Sequence, residues 1–295
     1  GVGRLSYPSR QVCDLTDSQE ADKLFTSLLP DVVIHLAAFC GGIGLNRARP
    51  AEMLARNAAM AVNVLDGCRL VQAYKPVKLV TVGSVCGYPL APKTVPFVEA
   101  EYTDGEPEPT NAAYGHAKRL LLKLCQTYRD QYGLGTAYLI LANLYGPGDC
   151  FDLDRAHVIP AIIRRVTEAN EQRQLIVTLW GSGQPTRDFL HVADAARAIV
   201  LAAERYDDPE PVNVGTGIQT AIADVAGAVI EMAGGPVAGV HWDPSWPDGQ
   251  PRRVLNTRRA RDAFGFTAEI PFVSGLAETV AWYLAHRQEA ACATP

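Results

Sequence analysis

The chain has 295 residues, a formal net charge of −5 and 48% hydrophobic residues, enough for one large α/β unit or two linked domains. The acidic balance gives no reason to expect nucleic acid or an anionic membrane as a partner, no apolar run is long enough for a membrane span, and no signal-peptide pattern opens the chain. The seven cysteines are odd in number and include no Cys-x-x-Cys, which speaks against a disulfide framework or a zinc cluster and for a reducing, cytoplasmic setting.

The first seventeen residues, GVGRLSYPSRQVCDLTD, contain no strand leading into a glycine-rich turn. CDLTD (13–17) is expected to end the second strand of a mononucleotide-binding unit, so that a strand, a glycine loop and a helix, roughly thirty residues, are missing in front of it. DVVIHLAA (31–38) predicts a buried strand. Residues 50–74 predict a long helix with Pro50 in its first turn. VKLVTVGS (77–84) is the next buried strand. Residues 111–133 predict a helix with Asn111 as cap and Gly133 as terminator, and 136–143 a further strand. This alternation predicts a Rossmann-type doubly wound parallel sheet with ligands at the strand C-termini. Beyond residue 150 the pattern is less regular: helices at 157–170, 192–205, 221–235 and 273–290, a strand at 175–183, a strand and loop at 211–217, and a frayed tail at 291–295. The expected division is a dinucleotide-binding domain over 1–150 and a smaller mixed α/β substrate domain over 151–295, with about 188–217 returning to the first.

Tyr114 and Lys118 lie four apart on one predicted helix, hence on one face. An ammonium beside a phenol favours the phenolate, and such a tyrosine can exchange a proton with a carbonyl or alcohol while a hydride moves. The pair alone is a short motif open to chance matches. Ser84 ends the preceding strand, which brings it to the same sheet edge. Cys86 follows two residues later in GSVCGYP, and for a lone cysteine a small packed hydrophobe is the commoner reading.

With these motifs the chain resembles the extended short-chain dehydrogenase/reductases that act on nucleotide sugars, nearest the branch that forms GDP-L-fucose. The resemblance runs through HLAA and GGIGLN (35–46), GSVCGYP, EPTNAAYGHAK (108–118), NLYGPGD (143–149), HVIPAIIRR (157–165), WGSGQPTRDFLHV (180–192), NVGTG (213–217) and PDGQPRR (247–253). It implies 3,5-epimerisation of a GDP-4-keto-6-deoxy-hexose followed by reduction at C4 with NADPH, NAD being the other possible cofactor. Inversion beside a ketone needs a base and an acid on opposite faces. The resemblance assigns these to Cys86 and His157, residue types that can titrate near neutral pH, and reverses the packed reading of Cys86. It implies Ser84, Tyr114 and Lys118 as the reductive trio. Arg10, Asp14, Ala37, Ala38, Asn57, Tyr114, Lys118 and His157 would meet the cofactor, with Arg10 suited to a 2′-phosphate and Asp14 equally suited to a turn or helix cap. Arg165, Arg187 and Arg253 would meet the diphosphate, and Asn143 and Trp180 the sugar and nucleoside, against core packing for Trp180. Gly41 and Gly42 would let backbone approach the nicotinamide or sugar. A homodimer through a four-helix bundle of segments 50–74 and 111–133 is also implied. The chain departs from the family pattern at Val85, at AAYGH around Tyr114, and at Trp246, where the family tends to have lysine. His116 reads as a surface residue. The competing readings are an epimerase without net reduction, similar to GDP-mannose 3,5-epimerase or a 4-epimerase, and a non-catalytic dinucleotide-binding protein.

Overall fold

The computed structural model describes residues 3–287; Gly1, Val2, the end of the expected 273–290 helix and the 291–295 tail, with Cys292, lie outside them. At its centre is a four-stranded parallel sheet in the order Val32–His35, Lys78–Ser84, Gly135–Leu141, Val212–Val214. The two middle strands are almost wholly buried, as expected for a parallel sheet covered on both faces. Lys78 and Thr81 are three apart and so face opposite sides. Lys78 Nζ donates to the carbonyls of Ala202 and Ala203 on helix Val192–Arg205. Tyr138, the register partner of Thr81, donates to the carbonyl of Lys118 on helix Ala112–Tyr132. The two helices therefore cover opposite faces. Helix Pro50–Gln72 packs beside Ala112–Tyr132, with proline in its first turn, and Gly133 ends Ala112–Tyr132 at φ 68°.

A second core is built on helices Val158–Glu171, Ile222–Ala233 and Phe272–Ala285 and the parallel strand pair Ile176–Trp180 and Gly239–Asp243. A short ribbon, Asn143–Tyr145 with Phe189–His191, joins the cores. Leu144 and Leu190 pack into the larger core, Tyr145 and Phe189 into the smaller, because successive side chains of a strand point to opposite faces.

Three expectations change. CDLTD is no strand: the amides of Val12 and Cys13 donate to Ser9 O, and the Asp14 carboxylate accepts from Thr16 N and Oγ1. These local bonds take the groups a strand would need for its neighbour. Asp17 instead caps a helix, Ser18–Leu28, by accepting from the amides of Gln19 and Glu20. A short helix, Ile43–Ala48, follows the Gly41–Gly42 pair. The expected strand 136–143 is broken at Ala142, after which the chain enters the ribbon.

Candidate active site

The site forms where the second sheet strand ends. Ser84 closes that strand, and its Oγ accepts from the amide of Cys86 at 3.2 Å, starting a single 3-10 turn over Val85–Gly87. The turn projects Cys86 beyond the sheet. Helix Ala112–Tyr132 begins directly against it, because residue 115 is glycine: a Cβ there would lie 2.5 Å from the Cys86 carbonyl oxygen. Tyr114 and Lys118 sit in the first two turns of that helix. The Lys118 ammonium is buried, donates to Val82 O at 2.9 Å and lies 5.5 Å from the centre of the Tyr114 ring.

The electrostatics depart from the sequence expectation. Burial, reinforced by Cys40 and Cys86, holds the Tyr114 phenol well above its ordinary pKa rather than below it. The ammonium lies over the ring and bonds to Val82 O, so its charge is not spent on the phenol oxygen. Burial also pushes Lys118 down to about 8. The site thus holds a protonated phenol and a lysine that gives up its proton easily.

A second group closes on Cys86 from a distant part of the chain. Arg253 donates from Nη1 to Cys86 Sγ at 3.5 Å and from Nε to Gln250 Oε1 at 2.9 Å, and lies 3.8 Å from the Glu108 carboxylate. Glu108 also accepts from Thr110 and Asn111, and Asn111 accepts from Asn46 Nδ2 at 2.7 Å. Hydrogen bonds from Thr110 and Asn111 and the nearby Arg253 charge hold the Glu108 carboxyl low against burial, the largest influence and an upward one. Arg187 is also buried, and bonds only to the carbonyls of Thr186, Asp248 and Gln250. Burial and the charge of Arg253 lower it to about 9. Two buried guanidiniums that repel one another, one of them held by carbonyls alone, form a place for an anion.

The other predicted residues divide. Past the end of strand Val32–His35, Ala37 is exposed and Ala38 half-buried. Asn57 is buried and fully engaged, accepting from Phe39 N and donating to Phe39 O and Met53 O, so it fixes the backbone after Ala38. Gly42 donates to Arg155 O at 2.8 Å, and a Cβ on it would lie 2.3 Å from Ala156 O; the glycine pair admits the 155–156 backbone. His157 follows immediately, exposed, at the N-cap of helix Val158–Glu171. Burial raises the Asp149 carboxyl, against the pull of His157. Asn143 Nδ2 donates to Asp188 O. Arg165 lies 5.1 Å over the Trp180 ring. Arg10 pairs with Asp14 at 3.2 Å on the surface, and Asp14 makes the turn described above. His116 pairs with Glu106 at the surface.

Sequence reasoning passed over Glu108, Gln250 and Asp188. Glu108 and Gln250 fall inside EPTNAAYGHAK and PDGQPRR, so the motifs marked them without giving them a task. Asp188 is fully buried and accepts from Thr216 N and Oγ1, Gly217 N and Leu255 N. It fastens the loop after Val212–Val214 to the strand region around Leu255.

The family model described as the NAD dependent epimerase/dehydratase family matches residues 2–215. The chain is 38% identical over 272 residues to a probable GDP-L-fucose synthase 1 of Oryza sativa subsp. japonica, covering 92% of this chain and 81% of that one. Among solved structures it superposes on a GDP-6-OMe-4-keto-L-xylo-heptose reductase from C. jejuni with a TM-score of 0.88 at 25% identity, covering 96% of this chain and 91% of that one. A GDP-L-fucose synthetase from Naegleria fowleri bound to NADP gives 0.86 at 26%, with coverage of 97% and 87%.

Proposed function

This chain belongs to the NAD dependent epimerase/dehydratase family, and from that premise we propose that it is an NADPH-dependent epimerase and reductase, inverting C3 and C5 of a GDP-4-keto-6-deoxy-hexose and reducing C4. The observation that carries this reading is the meeting, at one strand end, of Cys86 with Arg253 on its sulfur and of Tyr114 with Lys118 on the helix that Gly115 lets approach.

The residues suit a nicotinamide dinucleotide. Lys118 has three N–H donors and gives one to Val82 O, which leaves two for ribose hydroxyls. Ala37 and Ala38 offer small side chains at the strand edge. When bound, the reduced dinucleotide supplies the hydride for C4. The 4-keto group acidifies the C–H bonds at C3 and C5. Cys86 takes the proton from one face, and Arg253 is within reach to hold the negative charge that sulfur carries toward the reaction. His157 returns a proton to the other face. Tyr114, kept protonated by burial, donates to the C4 oxygen as it becomes an alkoxide. Arg187 and Arg253 meet the diphosphate. We further propose a cytoplasmic homodimer: helices Pro50–Gln72 and Ala112–Tyr132 present Leu54, Val62 and Leu120 to the surface.

The test separates the two chemistries. With a GDP-4-keto-6-deoxy-hexose in D2O and no NADPH, the protein should wash deuterium into C3 and C5. Cys86→Ser should lose most of that exchange, since a serine hydroxyl is a far poorer base, and Tyr114→Phe should keep it while failing to oxidise NADPH. Exchange at the parent rate in Cys86→Ser would return the thiol to a packing role, and no consumption of NADPH by the parent would remove the reductase assignment.

A further inference from the structure

Trp180 and Trp246 stack face to face, ring centres 3.8 Å apart and planes 6° from parallel. Trp180 ends strand Ile176–Trp180. Trp246 lies six residues before the Gly249–Gln250–Pro251 approach to Arg252–Arg253 is complete, on the loop after strand Gly239–Asp243, whose Asp243 is the register partner of Trp180. The far face of Trp180 is taken by the Arg165 guanidinium, because a ring at 3.8 Å leaves only that side free. Indole, indole and guanidinium thus form a three-layer stack whose outer aromatic layer is the half-buried Trp246.

The loop carrying Trp246 is built to hold it. Asp248, two residues on, accepts from Ser182 N and Oγ, both at 2.7 Å, and its carbonyl accepts from Arg187 at 3.2 Å. Gly181 stands at φ 77°, and a Cβ there would meet Asp248 Oδ1 at 2.4 Å. The indole is therefore fixed within about 7 Å of chain from the carbonyl that holds Arg187. From there Gln250 leads to Arg253 and to Cys86. The 246–253 segment thus links an aromatic face, through the Arg187 and Arg253 guanidiniums that bond along it, to the Cys86 thiol, in the order of base, diphosphate and sugar in a nucleoside diphosphate sugar.

Resting on the function proposed above, we infer that Trp246 is a specificity-determining residue: the outer face of its indole, the one not stacked on Trp180, receives the base of the nucleotide sugar and favours a purine over a pyrimidine. Stacking strength follows the area of overlap and the π-surface. A two-ring base covers an indole that is itself backed by a second indole, and a one-ring base covers about half of it. The stack discriminates ring number and says nothing between guanine and adenine.

The experiment measures dissociation constants of GDP and UDP, with NADPH as a control, for the parent, Trp246→Ala, Trp246→Phe and Trp246→Lys. The parent should prefer GDP. Trp246→Ala should weaken GDP by roughly tenfold or more, a stacking loss, weaken UDP less, and leave NADPH unchanged; Trp246→Phe should recover part of the GDP preference and Trp246→Lys should not. Equal losses for GDP and UDP would mean that the indole only anchors the loop, and unchanged GDP affinity in Trp246→Ala would remove it from the site; either result overturns the inference while leaving the proposed reaction intact. A parent that binds GDP but does not turn over the keto sugar would sink the reaction and not the stack.

Discussion

Lys118 keeps a cation in a buried setting with one carbonyl as partner, and the consequence can be read in pH. Its folded pKa, about 8, lies below the unfolded value of about 10.4. Between those values the unfolded chain binds more protons than the folded one, so this residue's contribution to stability rises with pH across that window. The difference corresponds to roughly 3 kcal/mol. Lys118→Met removes the buried charge. Its urea midpoint should stand highest relative to the parent near pH 7.5, and that advantage should shrink steadily towards pH 10.5. Midpoints that run parallel through the range would exclude Lys118 as the titrating group. The same low value matters for chemistry: near neutral pH the ammonium is charged, and above about pH 8 it loses the proton with which it would hold ribose hydroxyls.

Among the elements, helix Ala112–Tyr132 matters most for the site, and Gly115 sets its position. Gly115→Ala places a methyl 2.5 Å from the Cys86 carbonyl and about 3.1 Å from Pro107 Cβ. Backbone cannot yield as a side-chain tip can, so the helix should shift outward at a cost of about 1–3 kcal/mol, the usual range for overpacking. Cys86 and Tyr114 would separate, and both deuterium exchange and NADPH oxidation should fall together. A variant that melts with the parent and keeps both activities would show that the close approach is dispensable. This helix was legible in advance because its apolar spacing, its glycine stop and the Tyr-x-x-x-Lys face are local features. Strands Lys78–Ser84 and Gly135–Leu141 were legible for the same reason, as short buried runs between breakers, whereas Val32–His35, expected buried, leaves Val32 and Ile34 exposed because it lies at the edge of the sheet. CDLTD misled because a turn closed by Asp14 and the end of a strand leave similar residues behind. Helix Ser18–Leu28 was missed although Asp17 is an ordinary cap. The partnership of Arg253 with Cys86 joins residues 167 positions apart, and the Trp180–Trp246 stack depends on the register of a parallel strand pair; no local pattern carries either. The motifs named candidate residues and left their partners unstated: Arg253, expected on phosphate, donates to the Cys86 sulfur in this structure.

For the whole molecule, the outward faces of helices Pro50–Gln72 and Ala112–Tyr132 bear on assembly. Leu54, Val62, Leu120 and Tyr132 are each about two-fifths exposed, and apolar side chains gathered on neighbouring helices are a surface that a second copy would cover. Sedimentation should show a dimer at micromolar concentration, and Leu54→Glu with Leu120→Glu should yield monomer; a parent that sediments as monomer would refute the expectation. The ribbon of Asn143–Tyr145 and Phe189–His191 has a different consequence. One of its faces belongs to the larger core and the other to the smaller, and Asp188 at its margin bonds to two further segments, the Thr216–Gly217 loop and Leu255. A cut near residue 150 would leave each fragment holding one strand of the pair, with Tyr145 parted from the rest of the smaller core and Leu190 from most of the larger. The two lobes are therefore not modules that could be exchanged or inherited separately. They share a wall, and any reshaping of the smaller lobe has to be made around that wall.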